Sequence, residues 1–249
     1  MLFFNFNRSG GCNIISSGAY TSKPCPHCGE SSYYRPYGNF PMHVSIPQLI
    51  KYWPPLLGGS GYHVVAENVK TVFENGVTGC RFHHLGPILR SMDGGWGDIK
   101  LPDWLPEPPN YFLLEPTGTI DFEVPEEEAA ECCVCGRVKK NEFGDFKKPL
   151  VPIMSAWDGS DVMHGKRIYA YGTIVTPKVI NLLREHGWHR QPWYGCHNRK
   201  TEALYLGDRA IPGVSAQNID SDTWYEDTVS ALKKQYPDHP YITQLSSSY

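Results

Sequence analysis

Two copies of one short motif constrain this 249-residue chain more than any other feature. The first reads Cys25-Pro26-His27-Cys28-Gly29 and the second Cys132-Cys133-Val134-Cys135-Gly136. Both are C-x-x-C-G. Two residues between thiols let one tight turn present both sulfurs to a single cation, and the glycine that follows lets the chain leave the turn with φ > 0. Two such turns facing each other complete a tetrahedral four-thiolate site, closed to water and therefore structural. The expected ligands are Cys25, Cys28, Cys132 and Cys135, and the expected ion is Zn2+. Iron is the competing metal for the same geometry. Cys133 reads as a bystander, though Cys133, which makes a C-x-C with Cys135, or His27, inside the first turn, could replace one of the four ligands.

A lone C-x-x-C also suits a redox pair, which usually sits between a strand and a helix. Here Pro24, Pro26 and Ser31-Ser32 surround the first pair and favour a knuckle loop. Cys12, Cys80 and Cys196 have no partner spacing and read as buried or reduced thiols. Residues 1–8 are apolar but lack a basic start, a long apolar stretch and a small-residue cleavage site, so they read as a first strand. No apolar run approaches the roughly 18–20 residues of a membrane span. A cytoplasmic protein is expected, in a reducing compartment where thiols stay free or bind metal.

Residues 29–131 separate the two cysteine pairs. Ordinary zinc ribbons hold their knuckles much closer together. The metal would therefore pin the front of the chain to its middle, and the segment between would leave one knuckle and return to the other as an inserted lobe. Closing a long loop offsets more chain entropy than closing a short one. The expected organisation is residues 1–37, an N-terminal strand and first knuckle; 38–115, a variable lobe; 116–199, the second knuckle and a strand–helix unit; and 200–249, a C-terminal extension. Aromatics at 13%, with 21 Pro and 24 Gly, favour short strands and turns over a helical bundle. The expected fold class is α+β, mostly short antiparallel strands with few helices, built around the four-cysteine zinc knuckle pair.

Residues 45–57 have a spacing that suits a short helix starting after Ser45-Ile46-Pro47 and ending at Pro54-Pro55. Residues 80–90 show no clean period, and the proline-rich stretch 101–110 reads as extended or loop. Tyr111–Glu115 reads as a strand, followed by a turn at Pro116-Thr117-Gly118 and a second strand over Thr119–Val124. Arg167–Val175 reads as a strand leading into the clearest helix, Pro177–His186. Thr176 fits its N-cap, Pro177 its first position and Gly187 the position just past its end. Trp188 is expected to pack back on it. Asp222–Gln235 reads as a second helix, with Trp224, Val229 and Leu232 on one side.

Most catalytic motifs are missing. Gly58-Gly59-Ser60-Gly61 and Gly94-Gly95-Trp96-Gly97 are not followed by Lys-Ser/Thr and read as turns rather than phosphate cradles. No H-E-x-x-H or G-x-S-x-G signature occurs. A second metal site from His186, His189, Cys196 and His197 competes with simpler helix-end and surface roles for those residues. Cys196-His197 resembles a nucleophile and base only in order, since sequence neighbours rarely present the mutual geometry. The chain is expected not to be an enzyme.

The net charge is −3, which does not call for a nucleic-acid backbone as partner. Acidic residues gather just before the second knuckle, at Asp121, Glu123, Glu126, Glu127, Glu128 and Glu131. A solvated loop accounts for them, and so does a surface that steers a basic partner inward. Trp157, Trp188, Trp193, Tyr194 and Trp224 offer possible interface anchors, though core packing explains most of them.

Taken together, the two C-x-x-C-G motifs, the Leu114–Gly118 stretch between them and the Gly172–Val179 strand–helix resemble the bacterial double-CXXCG motif family. Some of its members are named as immunity proteins that accompany polymorphic toxins. The resemblance covers roughly residues 20–195, and the tail after about 200 is extra to the pattern. It implies an immunity (antitoxin) protein that binds and neutralises a cognate toxin domain, with a structural zinc and no membrane or nucleic-acid partner. Recognition is then expected from the inserted lobe and from Glu126, Glu127 and Glu128. The rival is a zinc-containing nucleic-acid-binding or regulatory protein. It calls for a basic stripe with interleaved aromatics. Lys139-Lys140, Lys147-Lys148 and Arg199-Lys200 are too scattered for one.

Overall fold

The computed structural model describes residues 1–6, 13–16, 23–27, 31–32, 42–46, 53–59, 62–86, 89–92, 95–98, 103, 106–123, 134, 151–166, 173–188 and 220–248. Within them the chain is α+β, with short strands and a few helices.

The first sheet has five strands in the order β1 (Phe4–Phe6), β15 (Thr173–Val175), β14 (Val162–Gly165), β12 (Gly118–Glu123) and β13 (Val151–Ile153). Neighbours run antiparallel except β12 and β14. The second sheet is fully antiparallel, in the order β6 (Leu56–Gly59), β7 (Tyr62–Ala66), β11 (Tyr111–Pro116) and β8 (Cys80–His84). The third runs β10 (Gly95–Asp98), β9 (Leu89–Met92), β5 (Met42–Ile46) and β2 (Asn13–Ser16), with β5 and β9 parallel. A separate two-stranded ribbon joins β3 (Lys23–Pro24) to β4 (Ser31–Ser32).

The first sheet buries both faces, and its sequence shows how. Alternate residues of a strand point to opposite sides. Phe4, Val162 and Val175 enter the main core, while Phe3, Ile120, Phe122, Met163 and Ile174 form a second cluster. The main core also takes Leu56, Val65 and Leu114 from the second sheet, and Val69 and Phe73 from α1 (Glu67–Gly76). From the chain's other end come Val179, Ile180 and Leu183 of α2 (Pro177–Glu185) and Trp224, Tyr225, Val229 and Leu232 of α3 (Trp224–Gln235). One apolar cluster thus draws on all four segments expected from the sequence, the C-terminal one included. In α3 the buried positions Trp224, Tyr225, Thr228, Val229 and Leu232 recur at helical spacing, with Glu226 and Asp227 in the first turn and Lys233 and Lys234 in the last, which complements the helix dipole. Leu2 donates its backbone N–H to the Tyr225 hydroxyl at 3.2 Å, and Tyr241, on α4 (Pro240–Thr243), donates its hydroxyl to the Met1 carbonyl.

Several local expectations shift. The short helix expected after Ser45-Ile46-Pro47 falls largely on residues 47–52, which lie outside the described residues; on either side, Ser45 and Ile46 belong to β5, and Leu56 and Leu57 to β6. Leu56 and Leu57 point to opposite faces of the second sheet and both are buried, so consecutive apolar residues serve two faces of a strand. The glycine runs expected as turns partly enter strands. Gly58 and Gly59 pair with His63 and Tyr62, and Gly95 and Gly97 with Met92 and Arg90. Only two positions remain to connect each pair of strands, 60–61 and 93–94, the latter an Asp-Gly dipeptide that suits a tight hairpin. Residues 80–90, without a period in sequence, supply β8 and the start of β9. The strands over 111–116 and 118–123 form as expected, yet they do not pair. Thr117 carries the chain from the second sheet to the first, and the N–H groups of Thr117 and Gly118 both donate to the Gly79 carbonyl.

Candidate metal centre

The first C-x-x-C-G motif lies in the connection of the β3–β4 ribbon. Lys23 pairs with Ser32 and Pro24 with Ser31, so residues 25–30 close the hairpin. Cys25 follows β3 directly and is half-buried, and Pro26 and His27 form an exposed turn. A turn at this point, rather than the start of a helix, matches a knuckle loop and departs from the strand–helix setting of redox pairs. Cys25 offers a soft sulfur donor of the kind that suits zinc. Of the four expected ligands only Cys25 is described, and its place in the ribbon's connection is compatible with a metal-binding turn.

The second motif lies in another such connection. Residues 124–150 leave β12 and return to β13, whose last pair is Glu123 with Val151. Of that motif only Val134 is described, a turn residue 60% exposed. Cys28, Cys132, Cys133 and Cys135 lie outside the described residues, as do Glu126, Glu127 and Glu128. Of the acidic group, Asp121 and Glu123 are described, on β12, with Glu123 exposed and Asp121 accepting the Phe122 N–H through its own carboxylate. Among the described residues no three His, Cys, Asp or Glu side chains gather as a metal site. For the alternative second site, His186 is exposed at the end of α2 and stacks on Trp188 with ring centroids 4.5 Å apart, while His189, Cys196 and His197 lie outside the described residues.

Cys80 is a half-buried thiol whose pKa is pushed up to about 11, by burial first and then by the Glu74 and Asp161 carboxylates. It is protonated at neutral pH and a poor nucleophile. Of the aromatics expected as possible interface anchors, Trp157, Trp188 and Trp224 are described and serve packing. Trp157 sits edge-on to Phe3 and donates to the Ser160 carbonyl, Trp188 is buried, and Trp224 donates to Asn181 Oδ1 at 2.8 Å. Trp193 and Tyr194 lie outside the described residues.

Two polar clusters had no sequence signal. His83 Nε2 lies 2.6 Å from Glu115 Oε2, with Arg81 3.9 Å from the same oxygen. Register brings them together, since Glu115 opposes Arg81 and His83 opposes Leu113, which makes His83 and Glu115 diagonal neighbours. Asp161, 9% exposed, is the other hub. Its Oδ2 accepts from the Thr78 N–H, the Thr78 hydroxyl and Lys178 Nζ, and its Oδ1 from the Thr176 hydroxyl. Every one of these donors is supplied by the chain itself, so the carboxylate ties the approach to β8, the start of β14 and α2 together. Among the described residues no helix is long and apolar enough to cross a membrane. No protein-family model matches this chain, and no curated protein matches it.

Proposed function

We propose that this chain is an immunity protein that binds and neutralises a cognate bacterial toxin domain in the cytoplasm, on a scaffold clamped by one structural zinc ion. Cys25, Cys28, Cys132 and Cys135 hold the ion. The observation that carries this reading is the position of the first motif, in the connection of the antiparallel β3–β4 ribbon, where a knuckle loop would sit. The second motif falls in the β12–β13 connection, and the order of motifs resembles the double-CXXCG family. The protein performs no chemistry of its own. It acts by covering the toxin.

A binding protein of this kind needs a rigid frame and a surface free to vary. Metal binding supplies folding free energy that does not depend on surface residues. Glu126, Glu127 and Glu128 lie between Glu123, where β12 ends, and Cys132. With Cys132 on the metal, that short acidic bridge is tethered at both ends, and less ordering entropy is lost when it meets a basic partner. The carboxylates also steer encounter.

The test is co-expression with the toxin-domain protein encoded beside this gene. Growth rescue, co-purification and one zinc per chain in reductively purified protein are expected. Replacing Glu126, Glu127 and Glu128 by Ala should slow association about tenfold at low salt and leave dissociation nearly unchanged. Metal-free protein would overturn the clamp. Failure to rescue or to co-purify, with zinc present, would overturn the immunity role and leave the clamp standing.

A further inference from the structure

We draw no further inference here: the strongest candidate, the half-buried His83–Glu115–Arg81 cluster on the β8 and β11 strands of the second sheet, is explained by its own ion pairing, and nothing in the structure shows what ligand or partner it would meet.

Discussion

Thr176 stands at the N-cap of α2, yet its hydroxyl donates to Asp161 Oδ1 at 3.0 Å instead of accepting from the helix's own first amides. Its backbone N–H adds a second bond, donating to the Asp161 carbonyl. The helix start is thereby fastened to the start of β14 rather than capped in isolation.

That arrangement makes Asp161 costly to remove. Asp161→Ala leaves the buried Thr176 hydroxyl and the Thr78 N–H without their acceptor, and a loss of about 2–4 kcal/mol is expected in urea unfolding. Lys178 contacts the same carboxylate but is 51% exposed, so Lys178→Ala should change stability by no more than about 1 kcal/mol. Equal losses for the two variants would refute the assignment of Asp161 as the hub.

Two glycines with positive φ should respond differently to alanine. Gly79 has φ +79°, and a Cβ there would sit 2.2 Å from the Val162 carbonyl oxygen and 2.5 Å from Ser160 Cβ. Gly187 has φ +67°, and among the described residues no atom lies within 4 Å of the added carbon. Gly187→Ala carries only the left-handed backbone penalty, about 1–2 kcal/mol. Gly79→Ala adds a clash against backbone and should cost roughly 2–5 kcal/mol. Chemical denaturation of both variants measures the difference, and a Gly79→Ala protein as stable as Gly187→Ala would show that the crossing near Thr117 has room to shift.

Acid stability should depend in part on Asp158. Burial works against its ionisation, but N–H and hydroxyl donors from Ser160 and Thr119 outweigh that and hold the carboxyl below its ordinary value of 3.8. A depressed folded value means that the unfolded chain takes up the proton first as pH falls. Asp158 thus contributes its stability in full above about pH 4, and that contribution disappears as pH drops through the folded value. The group is largely exposed, so the effect is small. Asp158→Asn should flatten the acid limb of the stability–pH profile; an unchanged slope below about pH 4 would rule the contribution out.

The C-terminal helices should prove integral to folding. Trp224 is buried against Phe4 of the first strand, 5.5 Å between ring centroids, and its indole N–H is satisfied by Asn181. Trp224→Ala is expected to cost about 3–5 kcal/mol. Ending the chain at residue 219 removes the partners of Leu2, Phe4 and Asn181 together, and the shortened protein should lose its cooperative unfolding transition. A truncated chain that unfolds with the parent's midpoint would mean that this tail is an appendage.

How much of this was legible beforehand depends on the range of the signal. The α2 helix was readable to its ends, because Thr176-Pro177 and Gly187 act within a single turn of chain, and Gly187 does adopt the left-handed conformation. The α3 stripe of Trp224, Val229 and Leu232 was readable for the same reason: helical period is a local property. The glycine runs misled because glycine marks a turn only when no neighbouring strand claims it, and β7 and β9 do. The register that sets His83 beside Glu115 has no local trace.

The sequence alone determined the motif pair, its spacing, the two helices and the α+β balance, since each depends on residues a few positions apart. Tertiary structure alone decided that β1 pairs with β15, that Asp161 gathers donors from Thr78, Thr176 and Lys178, and that α3 closes over Phe4. Those choices are made by burial of apolar faces and by satisfaction of polar groups between partners as far as 240 positions apart, where neighbouring residues carry no record of the partner.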